Sequence, residues 1–141
     1  MSKVDNCVFC KIAAWETPSQ RIFEDDHFIA FLDINPVNFG HTLIISREHY
    51  PNFVETPKDV ICEMTAIAQK LAPGVMSAVD AAGCNIVFNN GEHAGQVIHH
   101  VHLHIIPRYP DDGHKAWTGR NRYAEGEMGA TAKKIKQLIS L

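Results

Sequence analysis

Three histidines at alternate positions, His100, His102 and His104, are the residues of this 141-residue chain best suited to do chemistry. Six of its nine histidines fall between His93 and His114. Through His99–Pro107 the histidines alternate with apolar residues, which is the period of a strand, where side chains two apart share a face. His100, His102 and His104 therefore point one way, spread over about 13 Å, while Val101, Leu103 and Ile105 point the other way into the core. An imidazole on such a row can be a nucleophile, a general acid or base, or a metal ligand. The outer rings diverge more than a single small ion held by all three easily permits. Just before the row, Gly91-Glu92-His93-Ala94-Gly95-Gln96 has glycines that let backbone N–H groups approach an anion, and Gln96 can donate from its amide.

A second constellation is Cys7-Val8-Phe9-Cys10. The two cysteines are too close for a typical disulfide staple, and in a reducing compartment the spacing marks metal or redox chemistry. No strand–CxxC–helix context of the thioredoxin kind surrounds them. A tetrahedral zinc would need two further ligands. Cys62 and Cys84 read as packed thiols.

These residues need elements to position them. Residues 20–33 read as a hairpin turning at Glu24-Asp25-Asp26, and Thr42–Ile45 as a buried strand. Thr56 is expected to cap a helix whose first position is Pro57, with Val60, Met64, Ile67, Ala68 and Leu71 on one apolar face. Pro73-Gly74 should kink or interrupt it, and it should stop at Gly83. Asn85–Phe88 is a strand, the histidine strand spans about 97–106, and a helix from about Gly129 closes the chain. This order suggests an α+β domain with a mostly antiparallel sheet. The length supports one core, and 45% hydrophobic with 21% charged residues is a globular composition. A net charge of −3 and a pI near 6.3 argue against an extended nucleic-acid face. No apolar run approaches the roughly 20 residues of a membrane span, and Met1–Asn6 lacks a secretory layout, so a cytoplasmic protein is expected.

Gln96–Ile106 resembles the histidine-triad motif of the HIT family of nucleotide-binding hydrolases and transferases. Cys7–Ile12, Ile22–Asp26, Ala30–Pro36, Gly40–Ile45 and Asn85–Gln96 also look like segments of that family, in its order. The resemblance covers about residues 5–110 and implies a HIT domain there, with 111–141 as a loop and helix packed on it. It implies a five-stranded antiparallel sheet with one long, Pro-kinked helix and a C-terminal helix, usually as a homodimer. It implies action at the α-phosphate of nucleoside 5′-phosphate derivatives, phosphoramidates or dinucleoside polyphosphates among them. His102 would form a covalent nucleotidyl-histidine, flanked by His100 and His104.

By the same resemblance an AMP-type purine nucleotide would meet Phe23, Phe31, Leu32, Asp33, His41, Asn89, Gly95, Gln96 and Val97. Asp33 would take the ribose, although it also suits a turn before Asn35-Pro36, and Phe31 also suits ordinary core. Val97 stands where some members place a Ser or Thr donor, which leaves a catalytically weak nucleotide-binding or scaffold protein as the alternative. Zinc-bearing members imply a structural zinc on Cys7, Cys10, His49 and His100, with no open position. Beyond the matched region, Trp117 in Tyr109–Gly126 would cover the leaving-group side.

Overall fold

The computed structural model describes residues 3–115 and 119–139; the expectation for Trp117 lies outside them. Asp25 shapes the first hairpin by accepting the N–H groups of His27 and Phe28 at 2.8 and 2.7 Å. The turn joins β1 (Arg21–Glu24) to β2 (Phe28–Leu32). Before it lies α1 (Val8–Ala13), and after it β3 (Thr42–Ser46), α2 (Lys58–Ala78), β4 (Gly83–Phe88), β5 (His102–Arg108) and α3 (Glu127–Leu138). The strands form one antiparallel sheet in the order β1-β2-β3-β5-β4.

Both faces of this sheet are covered, which is why β3 is buried at every position. Ala30, Ile44, Val101, Leu103 and Ile105 pack on one face against Met64, Ile67, Ala68, Ala72 and Val75 of α2. Ile29, Phe31, Leu43 and Ile45 pack on the other against Cys7, Phe9, Cys10 and Ile12. The apolar partners of the histidine row thus lie under α2, as the alternation required. Ile45 pairs with His102 and Leu43 with His104, so those two histidines share the face of α1. None of the described residues of α3 is buried.

Several expected boundaries move. β5 begins at His102 rather than at 97, because the chain bends at 98–100 and the Val101 N–H donates to Tyr50 O at 2.7 Å. Thr56 does not cap α2: its hydroxyl donates to Asn52 O at 2.6 Å, and Pro57 holds the N-cap position without a side-chain bond. Pro73 does not interrupt the 21-residue helix. α2 stops at Ala78 rather than Gly83, followed by Asp80 at φ 54°, and Gly83 instead opens β4.

Candidate active site and metal centre

The protonation of the histidine row can be read from its partners. His102 Nδ1–H donates to the carbonyl of His100 at 2.7 Å, so Nε2 keeps its lone pair. Burial pushes the affinity of His102 for a second proton below the ordinary imidazole range, leaving the ring neutral. Next to it the Val37 N–H donates to His41 Nδ1 at 3.1 Å, which places the His41 proton on Nε2. That nitrogen lies 2.9 Å from His104 Nδ1, so His104 accepts there and carries its own proton on Nε2. A backbone amide two rings away thereby sets the tautomer of His104. Burial, then the neighbouring His102 and His41, pushes His104 down to about 4, and burial lowers His41.

Acid sensitivity follows from these rings. Folded His41 and His104 bind protons less well than the unfolded chain, whose histidines titrate near 6.5. Below that value the unfolded state takes up more protons, so acid favours it. Denaturant midpoints are expected to hold level from about pH 8 to 7 and to fall from about pH 6.5 towards 4. A midpoint that rises on acidification contradicts neutral buried rings.

His102 and His104 open into a cavity of about 440 Å³. Val8, Phe9 and Ile12 of α1 form one wall, and Phe31, Leu32 and Ile98 add apolar surface. Asp33 supplies the one carboxylate in the lining, which contains no lysine or arginine among the described residues. Its Oδ1 accepts the Asn35 N–H at 2.8 Å, while Oδ2 lies 3.8 Å from His41 Nε2. Gly95, at φ 92°, lines the cavity and approaches Asn89, whose amide nitrogen a Cβ there would meet at 3.6 Å. Val97 stands at the rim, 84% exposed. A larger cavity, about 630 Å³, opens between the β1–β2 turn and the start of α2 and holds no member of the row.

Two nucleotide-site expectations meet a different arrangement. Phe23 packs on the α2 side, with the Lys70 ammonium 5.9 Å from its ring centre, and does not reach the cavity. The cause is a bulge: Arg21 pairs with Phe31 but Phe23 pairs with Ala30, a one-residue shift that turns Phe23 to the opposite face. Gln96 is buried and its amide is committed within the chain. Nε2 donates to Pro51 O at 2.7 Å and Ile98 O at 3.0 Å, and Oε1 accepts the Gly91 N–H at 2.9 Å. It ties the glycine loop down rather than presenting a free donor.

Cys7, Cys10, His49 and His100 converge with their donor atoms within 4.8 Å of one another. His100 Nδ1 lies 3.4 Å from Cys7 Sγ, 3.5 Å from Cys10 Sγ and 3.2 Å from His49 Nδ1, and Cys10 Sγ lies 3.3 Å from His49 Nδ1. Bond lengths usual for zinc give tetrahedral edges of about 3.6 Å for N···S and about 3.3 Å for N···N, so the residues fit such an ion. His100 Nε2–H donates to Ser46 O at 2.7 Å, which leaves Nδ1 free to ligate. Burial pushes His100 down to about 4, consistent with a neutral ligand. Asp33, His41 and His104 also converge. They suit an ion poorly, because ligation through His41 Nε2 would turn its Nδ1–H against the Val37 N–H.

Sequence reasoning missed the α1 wall and Ile98. The available signal was the apolar content of Cys7–Ile12 itself: Val8 and Ile12 stand four apart, one face of a helix.

The model of the HIT domain matches residues 14–111. The adenylylsulfatase of Arabidopsis thaliana is 43% identical over 108 residues, 77% of this chain and 55% of that protein. Among solved structures, a protein of Streptococcus mutans superposes with a TM-score of 0.91 at 35% identity, covering 98% of this chain and 88% of the other. A zinc-bound histidine triad family protein from Mycobacterium smegmatis superposes at 0.72 with 33% identity, covering 95% and 98%.

Proposed function

The chain belongs to the HIT domain family, and from that premise we propose that it is a nucleotide hydrolase or nucleotidyl transferase working through His102. One observation carries the reading: His102 holds a bare Nε2 in a cavity whose lining carboxylate is Asp33. A neutral imidazole of fixed tautomer is a competent nucleophile near neutral pH. Nε2 attacks the α-phosphorus of a nucleoside 5′-phosphate derivative, and the bond to the leaving group breaks with its electron pair going to that group, which takes a proton from solvent. Water then cleaves the P–N bond, restoring His102 and releasing the nucleoside monophosphate. His104 Nε2–H donates to a phosphoryl oxygen.

The similarity to an adenylylsulfatase supports the hydrolase reading. Among the described residues the lining holds no lysine or arginine, which favours substrates with one phosphate, such as phosphoramidates, over dinucleoside polyphosphates. The ligand is an AMP-type purine nucleotide, with the base between the α1 wall and Phe31, Leu32. The cluster of Cys7, Cys10, His49 and His100 holds a structural zinc, which when bound supplies a closed tetrahedral anchor for the N-terminal segment. The catalytic unit is residues 5–110, with 111–141 appended. The assembly is a homodimer, favoured by exposed Met128, Ile135 and Leu138 on α3, and the compartment is the cytoplasm, where thiol ligands stay reduced.

The deciding experiment compares nucleotide release from adenosine 5′-phosphoramidate and from diadenosine polyphosphates, alongside AMP binding. AMP binding with no turnover of either would favour the binding-protein alternative, with Val97 the residue to examine. Asp33→Asn keeps the Oδ1 acceptor of the turn but removes the charge. AMP affinity measured by calorimetry is expected to drop roughly 10- to 100-fold, the scale of a lost charged hydrogen bond. An unchanged affinity would remove Asp33 from the ribose site.

A further inference from the structure

His100 belongs to two constellations at once. Its ring faces Cys7, Cys10 and His49 on one side and donates to Ser46 O on the other. Its carbonyl accepts the His102 Nδ1–H at 2.7 Å. Residue 100 precedes β5, so that carbonyl is placed by the His100 ring and by the bond from the Val101 N–H to Tyr50 O.

Phe9 makes a second link. It lies between the two cysteines, and the turn that brings them together has the Cys10 N–H donating to Cys7 Sγ at 3.4 Å. The Phe9 ring meets His102 edge-on at 5.1 Å, and also His100 at 5.9 Å and Phe31 at 5.7 Å. Phe9 itself lines the cavity. The six residues that carry both thiols therefore also carry a pocket wall and a support for the reactive ring.

We propose that a metal ion on Cys7, Cys10, His49 and His100 positions His102 and shapes the pocket, acting through the His100 carbonyl and the Phe9 ring. Metal occupancy then sets both the His102 tautomer and the affinity for nucleotide. The inference rests on the proposed function for the identity of the pocket's occupant and of the reactive histidine. The cysteines and His49 are positioning residues, while Phe9 both lines the pocket and supports the His102 ring, so for Phe9 the tautomer is the readout of positioning. A four-ligand site with both histidines held by Nδ1 leaves the His100 ring no freedom to swing, and the carbonyl attached to it inherits that restraint. Without the ion, His102 is free to exchange the nitrogen that carries its proton.

The test uses the full chain, ¹⁵N-labelled and zinc-loaded, with side-chain nitrogen spectra reporting the His102 tautomer and calorimetry reporting AMP affinity. The loaded protein is expected to show a single Nδ1–H form. Chelation should produce a mixture of tautomers and weaken AMP at least about tenfold. His49→Cys preserves a Cys₃His ligand set and should retain both properties, whereas His49→Ala should lose both. Phe9→Leu should keep the zinc yet loosen the tautomer and weaken AMP.

A folded metal-free chain with a single Nδ1–H form and unchanged affinity would overturn the proposal, as would a chain that takes up no zinc. If the metal-free chain unfolds, zinc-loaded Phe9→Leu decides, and wild-type behaviour there overturns it. If the zinc-loaded wild type fails to bind AMP, the ligand of the proposed function is wrong, while the tautomer comparison still judges the positioning role.

Discussion

His102→Ala is expected to lower nucleotide release by a factor of about 10⁴ or more while leaving the fold intact. The magnitude follows from removing the atom that forms the covalent intermediate, since a two-step displacement has no substitute path at that position. The fold should survive because His102 faces the cavity, while Leu103 and Val101 on its flanks supply the burial under α2. Steady-state rates on adenosine 5′-phosphoramidate, with near-ultraviolet circular dichroism on the same samples, make the comparison. Turnover within tenfold of wild type would mean that another group attacks phosphorus. His104→Ala should be milder, about 10²–10³-fold, because it removes a donor to developing charge rather than the nucleophile.

Cys7→Ser is expected to empty the metal centre and lower the melting temperature by roughly 10–20 °C. A structural metal contributes its binding free energy to folding. Losing about 3–5 kcal/mol of it shifts a domain of this size by that amount. The effect should be large because Cys7 and Cys10 anchor the second core cluster, where Phe9 and Ile12 cover Ile29, Phe31, Leu43 and Ile45. Elemental analysis should show zinc in the wild type and a reduced content in the variant. Cys62 is exposed on α2 rather than packed as its sequence context suggested, so Cys62→Ser, outside the candidate metal site, serves as the control and should change neither. Equal melting temperatures for wild type and Cys7→Ser would place the stability elsewhere.

Much of the fold was legible because its signals are local. The period of two in Val101–Ile105 assigned opposite faces to histidines and core, and the spacing of Val60, Met64, Ile67, Ala68 and Leu71 marked the helix face that packs on the sheet. What escaped depends on partners distant in the chain. The alternation runs on through His100, yet Tyr50 draws the Val101 N–H out of any ladder. β5 in turn continues through Pro107, beyond its last pair with β3 at Ile105, where only β4 remains alongside. The bulge that turns Phe23 away leaves no mark in Arg21-Ile22-Phe23. Gln96 looked like an available donor because nothing in its own segment shows Pro51 O waiting for it. Of the four residues of the candidate metal site, the spacing of Cys7 and Cys10 marked two, while His49 and His100 came only from the family resemblance, since no spacing rule joins them to the cysteines.

The pairing of β3 with β5 has a consequence for misfolding. Ile45 opposite His102 and Ile44 opposite Leu103 define one register out of several that the backbone alone would accept. Sliding β5 by one residue would carry the imidazoles beneath α2 and turn Val101, Leu103 and Ile105, each at most 2% exposed, towards the cavity. At about 2 kcal/mol per aliphatic side chain, the slip forfeits roughly 6 kcal/mol before any cost of burying polar rings. A single-residue insertion or deletion within 102–105 would impose such a slip on the residues beyond it. Greasy residues that never touch a substrate thus act as the proofreaders of which side of the sheet the chemistry occupies.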